Sequence, residues 1–200
     1  MEDVKRTHLP LGSREVDAAT LKAFAHPLRM RMYDWLKDHG AGTASMLAEA
    51  MGESTGQTSY HLRQLEKHGL VAEDSTRGTA RERWWEAQGF SYGLDTIEAD
   101  PETLTTVQLV MRQGAEARYR RQLEFIERQV EEARDWQEVV TFNEFTTRLT
   151  PDELEAITKE VFTVLEEHLA RAKARRREDG GVGTRMVKMY AQYFPLPPDA

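Results

Sequence analysis

The segment between Thr43 and Gly69 constrains the fold most, because its helix start and stop signals leave room for two short helices. Thr43 suits the N-cap position of a first helix, and Gly52 ends that helix. Ser54 opens a second helix with Gln57 three residues later, which is the spacing of a capping box. Gly69 supplies the left-handed residue that ends it. Two short helices joined by a tight turn form the helix-turn-helix pattern.

Two further helices are predicted before this pattern. Apolar side chains recur there at three- and four-residue steps, as is typical of amphipathic helices. These side chains are Leu21, Phe24, Leu28, Met32, Trp35 and Leu36. Pro27 interrupts the run, so we expect one helix over residues 16–25 and another over residues 27–38.

A β-hairpin is predicted directly after the helix-turn-helix. Residues 70–74 and 81–86 have strand character, and a glycine-containing tip separates them. A hairpin in this position is a wing. We therefore expect residues 16–90 to form a winged helix-turn-helix domain that binds DNA, preceded by a flexible N-terminus over residues 1–15.

The stretch over residues 21–78 resembles the ArsR family of bacterial winged helix-turn-helix regulators. Four separated pieces carry the resemblance in the right order and spacing: AHPLR at 25–29, LAE at 47–49, SYHLRQL at 59–65 and GLV at 69–71. The resemblance implies a sequence-specific transcriptional regulator, and a repressor in particular. It does not imply metal sensing, because the third helix, TASMLAEAMG, holds no cysteine to supply the thiolate ligands of the family's metal sensors.

The fourth helix has a buried face and a polar face. At about 100° per residue, Leu62 and Leu65 fall within about 40° of Thr58, which marks the buried side. The polar side carries Gly56, Gln57, Ser59, Tyr60, Arg63, Gln64 and Lys67. Their amide, guanidinium and hydroxyl groups suit base edges, and Gly56 lets the backbone approach phosphate. His61 lies near the buried side, where we expect a structural role.

Three arginines lie on the predicted wing. Arg77 is at its tip, and Arg81 and Arg83 share one face of the returning strand. All three are expected to reach phosphates or the minor groove. Trp84 and Trp85 are adjacent and must point in opposite directions, so we expect one of them to pack into the core.

A long helix is predicted after the wing, because Asp100 can cap it and Pro101 suits its first position. Its apolar stripe comprises Leu104, Val107, Met111, Ala115, Tyr119, Leu123, Ile126, Val130 and Ala133. A single small domain cannot bury a stripe that spans 30 residues, so the pattern predicts a homodimer.

Residues 139–194 are predicted to form a strand, a helix and a second strand. The strands cover residues 139–148 and 185–194, and the helix begins at a capping box that includes Thr150 and Glu153. The predicted fold class is therefore mainly α with small β: a winged helix-turn-helix domain, a long dimerisation helix and a small α/β C-terminal unit. Residues 100–200 are expected to form the dimerisation region, with an effector site as one of two interpretations.

The C-terminal region is rich in large apolar side chains, and two interpretations remain open. These apolar side chains are Trp136, Phe142, Phe145, Met186, Met189, Tyr190, Tyr193 and Phe194. One interpretation is a site for a small apolar effector, which would act by changing the spacing of two DNA-reading helices. The other is an ordinary core for this unit.

The charge distribution does not exclude nucleic-acid binding. Residues 1–85 are neutral overall, and residues 86–200 carry the whole net charge of −7. Screening confines charge effects to about 10 Å, so a local basic face matters more than the total. Residues 54–86 nevertheless hold five basic and five acidic side chains. This balance supports an alternative function, a protein-interaction adaptor that keeps the winged fold without binding DNA.

Other classes of function lack their signals. The chain has no cysteine, which excludes thiolate metal sites and cysteine nucleophiles. No metalloprotease, phosphate-loop or dinucleotide motif occurs, so we expect no enzyme, cofactor or metal site. With neither a membrane-spanning apolar run nor a signal peptide, the chain is expected to stay in the cytoplasm.

Overall fold

The first two helices begin where side chains cap them. The computed structural model describes residues 14–75, 77, 82–93, 96 and 100–198. Helix α1 (Ala18–Phe24) follows Asp17, whose carboxylate accepts a hydrogen bond from the backbone N–H of Thr20 at 2.8 Å. Helix α2 (Pro27–His39) follows His26, whose Nδ1 accepts from the backbone N–H of Leu28. The predicted break at Pro27 is confirmed.

Helices α3 (Ala44–Met51) and α4 (Thr55–Lys67) form the predicted pair. The hydroxyl oxygen of Thr43 accepts from the N–H of Met46, and that of Ser54 accepts from the N–H of Gln57. Gly52 and Gly69 have φ values of 70° and 63°, the left-handed region that favours glycine after a helix. The capping signals therefore predicted both ends of both helices.

Two small sheets surround these helices. Strands β2 (Gly42–Thr43), β3 (Val71–Glu73) and β4 (Trp84–Ala87) form an antiparallel sheet in the order β2-β4-β3. Strands β3 and β4 are the two sides of the predicted wing. Strands β1 (Arg14–Glu15) and β5 (Phe90–Ser91) pair in parallel.

One apolar core joins helices α1 to α4 with strands β3 and β4. Leu47, Leu62 and Leu65 are fully buried at its centre, with Trp85 from the wing at 4% exposure. The remaining buried members are Phe24, Leu28, Met30, Met32, Tyr33, Leu36, Leu70 and Val71, with Val110 from the next helix. Tyr33 donates its hydroxyl hydrogen to the carbonyl of Gln88 at 2.6 Å, which fixes the end of the wing against α2.

The long helix α5 (Pro101–Arg128) packs on α1 through its first half. The Asp100 carboxylate caps it by accepting from the N–H of Thr103, as predicted. Its buried residues are Thr103, Val107, Val110 and Ala117. The helix gives way to a short 3-10 helix (Gln129–Glu131), so it ends before the predicted apolar stripe does.

A second apolar face of α5 is exposed in the single chain. It comprises Leu104, Met111, Tyr119, Leu123 and Ile126, which are 40–63% exposed. At about 100° per residue this face lies about 130° around the helix from the buried one. Helix α5 therefore has one apolar face for its own chain and another that this chain leaves uncovered.

The two strands predicted for the C-terminal region are wrong. Residues 139–148 and 185–194 lie wholly within the described part of the chain, and no strand occurs in either. Val140 and Phe142 are at even positions whereas Phe145 and Leu149 are at odd positions. In a strand the two pairs would therefore lie on opposite faces. Two helices flank the first segment, α6 (Arg134–Val139) and α7 (Pro151–Asp179). The capping box at Thr150 and Glu153 is confirmed.

Residues 185–192, here called the C-terminal strap, return along α5 towards the first domain. Arg185 pairs with Glu132 beyond the end of α5 at 2.6 Å, and Lys188 pairs with Asp38 of α2. The side-chain amide of Gln192 is oriented so that its oxygen accepts a hydrogen bond from Arg118 Nε at 2.6 Å. These polar contacts hold the strap to helices, where the sequence predicted a strand.

No helix in the described part of the chain is long and apolar enough to cross a membrane.

Gly42 provides a test of the packing between α2 and the sheet. A Cβ atom at this position would lie 2.5 Å from Cζ3 of Trp35, which is closer than real contacts allow. We expect Gly42→Ala to lower the free energy of unfolding by about 1–3 kcal/mol, as overpacking does. Urea unfolding followed by circular dichroism measures the change. Gly56→Ala is the matched control, because its Cβ would meet nothing within 4 Å. Equal stability of Gly42→Ala and the unsubstituted protein would contradict this packing.

Candidate nucleic-acid interface

The inner face of α4 is fixed against the rest of the domain. Thr58, Leu62 and Leu65 are fully buried, as the helical spacing predicted. The Thr58 hydroxyl donates to the carbonyl of Ala44 at 2.8 Å, which ties α4 to the first turn of α3. Helix α4 cannot rotate without breaking this bond and exposing two leucines.

The outer face of α4 consists of the side chains that the sequence assigned to DNA. Gly56, Gln57, Tyr60, Arg63 and Lys67 are exposed, and Ser59 and Gln64 are half-buried. Tyr60 is 57% exposed, which is high for so large a side chain. The open space around Gly56 shows that the fold does not require glycine there.

His61 has a structural position, as predicted. It is 6% exposed, and its ring lies 4.6 Å from the ring of His26, measured between centroids. Burial lowers the pKa of His61, and the nearby His26 and Arg29 lower it further. The neutral form of His61 therefore supports the folded domain.

A cleft of about 280 Å³ brings α3, α4 and the wing together. Ser59 and Arg63 of α4 line it with Arg83 of the wing, so three of the predicted residues meet at one place. The other lining residues are Ala44, Ser45, Thr55, Glu82 and Trp85. Sequence reasoning missed Ser45 and Thr55. Their positions in the first turns of α3 and α4, where free N–H groups favour phosphate, were the available signal.

Both described wing arginines lie beside acidic side chains of the same wing. Arg77 Nε lies 3.3 Å from a carboxylate oxygen of Asp74, and Arg83 lies 3.6 Å from one of Glu73. Each arginine is about 60% exposed, so these pairs are well solvated and weak. A phosphate group can therefore compete for either guanidinium. Arg81, the third predicted wing arginine, lies outside the described residues.

The two adjacent tryptophans divide between core and surface. Trp85 belongs to the core, as expected for one of the pair. Trp84 is half-buried, and the guanidinium of Arg77 lies 5.8 Å from its ring centroid. This cation–π contact holds the Arg77 guanidinium against the ring of Trp84 on the surface of the wing.

A family model for the helix-turn-helix domain matches residues 24–74, which span helices α2 to α4 and strand β3. The chain contains a helix-turn-helix domain. The match confirms the predicted helix-turn-helix over residues 24–74, and it agrees with the resemblance of this part of the chain to the ArsR type. Such domains place their second helix in the major groove of DNA. In this chain the second helix is α4.

Three solved structures are similar to part of the chain. One is a possible transcriptional regulator for arsenical resistance, at 26% identity over 47% of this chain and 81% of its own, with a TM-score of 0.31. Another is a fragment of a possible transcriptional regulatory protein from Mycobacterium bovis, at 21% identity over 50% and 88%, with a TM-score of 0.33. The third is NolR from Sinorhizobium fredii, at 22% identity over 48% and 81%, with a TM-score of 0.32.

Among curated proteins, none matches this chain.

The lowered pKa of His61 predicts that acid destabilises this domain. Its pKa is lower in the folded state than in the unfolded state, so the unfolded chain binds more protons between the two values. Stability is therefore full above the unfolded value of about 6.5 and falls as the pH is lowered towards the folded value.

We expect His61→Asn to weaken the dependence of the unfolding midpoint on pH between about 7 and 5. Thermal unfolding across this range measures it. His168→Asn, which removes an exposed histidine of α7, is the matched control. An unchanged pH dependence in His61→Asn would show that His61 is not the titrating group.

Proposed function

We propose that this protein is a sequence-specific transcriptional repressor that binds an inverted-repeat operator as a homodimer. The outer face of α4 is the observation that carries the proposal. Its polar side chains lie on a rigidly held helix and point away from the core. Exposed, rigidly held polar groups with no role in the fold are what reading base edges requires.

Helix α4 is proposed to read bases and the wing to contact the backbone. Arg63 lies near the middle of α4 and can bind the edge of guanine with two hydrogen bonds, and Gln64 can bind adenine. Arg83 lines the same cleft as Arg63, so a helix bound in the major groove brings the wing to the neighbouring phosphates. Arg77 lies further out on the wing and is proposed to contact only the DNA backbone.

The exposed face of α5 supports the homodimer. A second copy packed on this face would cover Leu104, Met111, Tyr119, Leu123 and Ile126 by twofold symmetry. Two copies of α4 would then meet successive major grooves about 34 Å apart, which requires an inverted-repeat site. Occupation of such a site within a promoter blocks transcription, in agreement with the repressors that the sequence resembles.

A cleft at the end of α5 is our proposed site for a small apolar effector. It has a volume of about 240 Å³ and is lined by Phe125, Gln129, Val130, Gln137, Val140 and Phe142. The rings of Phe125 and Phe142 are 6.1 Å apart and form its apolar side. A ligand that binds here more tightly in one arrangement of the dimer would change the spacing of the α4 helices and so the affinity for DNA.

The adaptor remains the alternative function. The balance of five basic and five acidic side chains over residues 54–86 favours it, because a neutral surface attracts DNA weakly at long range. An adaptor would bind every duplex equally weakly or not at all. A repressor would bind one sequence in preference to others and would weaken as salt rises.

The decisive experiment selects genomic fragments with the purified protein and titrates the enriched duplex over a salt series. In Arg63→Ala we expect discrimination between the selected site and a scrambled one to fall by about 1–3 kcal/mol. Arg77→Ala is its comparison variant. We expect it to weaken binding to all sequences similarly and to make the salt dependence shallower, because it removes a phosphate contact.

Enrichment of an inverted repeat, together with these effects of the two substitutions, would support the proposed repressor. It would also show that α4 reads bases and that the wing contacts the backbone. Failure to enrich any site, with equally weak binding to every duplex, would favour the adaptor. Retained discrimination in Arg63→Ala would show that α4 reads bases through other side chains.

Removal of the charge on Glu73 is predicted to strengthen DNA binding. Its carboxylate lies beside Arg83, and in the proposed complex it would also repel the nearest phosphate. We expect Glu73→Gln to tighten duplex binding by about two- to fivefold, the range of one exposed ion pair. Fluorescence anisotropy at fixed salt measures the change. Glu144→Gln makes the same change of net charge in the C-terminal region and is expected to have no effect. Weaker binding in Glu73→Gln would mean that Arg83 does not contact DNA.

A further inference from the structure

Helix α7 is long, and the single chain buries none of it. It has 29 residues, all described, and no buried residue among them. Most of the stability of helices in proteins comes from packing an apolar face rather than from intrinsic propensity. A helix of this length with half-buried residues on one face and no fully buried residue therefore indicates a missing partner.

The apolar residues of α7 form a seam of the kind that pairs helices. Leu154, Ile157, Val161 and Val164 alternate at steps of three and four residues. Ile157 is 39% exposed and Val164 is 55% exposed, so the single chain leaves one edge of the seam open. Glu153, at a heptad position that flanks the seam, is also exposed.

The charges on α7 are separated along its length. Residues 151–167 carry six acidic side chains and one basic one, a net charge of −5. Residues 168–179 carry five basic and two acidic side chains, a net charge of +3. A partner that complements this helix must be basic beside its start and acidic beside its end. A second α7 running in the opposite direction meets both requirements.

The exposed area of the chain is large enough for an extensive dimer. Its solvent-accessible surface is 15007 Å², whereas a compact monomer of 23.0 kDa exposes about 9,600 Å². The excess of about 5,400 Å² is larger than the about 800 Å² per partner of a standard interface.

We propose that α7 pairs antiparallel with α7 of a second copy of this chain and so forms a second contact in the dimer. The contact is isologous, because the start of each helix meets the end of the other across a twofold axis. A parallel pair would place acidic starts together and basic ends together. DNA is an unsuitable occupant, since it would repel the acidic half. The inference extends the homodimer of the proposed function and rests on it.

The absence of cysteine from the chain makes the pairing directly testable. Two variants, Glu153→Cys and Arg175→Cys, place one thiol near the start or near the end of α7. They are separated by about 33 Å along one helix, because each residue rises about 1.5 Å. The two full-length chains carry different tags, are co-expressed, and are treated with a short bismaleimide.

We expect a cross-linked dimer that contains both tags, and little cross-linking when either variant is expressed alone. Efficient cross-linking within either variant alone would indicate parallel helices and overturn the proposal. So would the absence of cross-linking in the co-expressed pair while sedimentation shows a dimer. DNA binding is measured on the same preparations. Selective binding without the cross-link refutes only the α7 contact, whereas the cross-link without DNA binding refutes only the proposed function.

Charge reversal provides a second readout that does not depend on the geometry of a reagent. The pair Glu153→Lys and Glu160→Lys changes the net charge of residues 151–167 from −5 to −1, and we expect it to raise the dimer dissociation constant about tenfold or more. Adding Arg171→Glu and Arg175→Glu places carboxylates beside the new lysines of an antiparallel partner and should restore the dimer. Glu155→Lys with Glu166→Lys changes the net charge equally on another face and is the matched control. Equal weakening by both double variants, or no restoration, would contradict antiparallel pairing.

Discussion

The rotation of α4 about its own axis is the constraint on which the proposed interface depends. The hydroxyl of Thr58 bonds to the carbonyl of Ala44, and Leu62 and Leu65 fill the core below. Once this face is fixed, the helical repeat alone decides which side chains point outwards. Tyr60 and Arg63 are exposed because their neighbours are buried. The core of the domain therefore sets the geometry of recognition, since a rotation of one residue would exchange buried leucine for exposed arginine.

The electrostatics of the wing favour selectivity over affinity. Arg77 and Arg83 both lie beside carboxylates, so binding to phosphate must replace an existing ion pair. The net gain per contact is then small, and a duplex with the wrong bases gains little from the backbone alone. This arrangement accounts for a DNA-binding domain with no excess of positive charge. In the proposed complex discrimination would come from α4, whose outer face is uncharged except at Arg63, Glu66 and Lys67.

Local signals determined how much could be predicted from the sequence. The ends of α3 and α4 follow from Thr43, Ser54 and two glycines, because capping depends on neighbours in the chain. The face of α4 followed from spacing alone. The strands at 139–148 and 185–194 failed because residue preferences cannot show where a segment finds its partners. The partners of the strap are Glu132 and Asp38, and no signal within residues 185–192 encodes either contact.

Helix α2 connects the C-terminal region to the reading helix. Arg121 of α5 lies 3.4 Å from Asp34 and 2.6 Å from Asp38, and Lys188 of the strap also reaches Asp38. Asp34 and Asp38 lie on successive turns of α2, whose opposite side supplies Met32 and Leu36 to the core around α4. A shift of α5 therefore acts on a rigid helix rather than on a loop. Because packed cores deform little, such a shift would move α4 as a unit and, in the proposed dimer, change the spacing of the two α4 helices without altering either one.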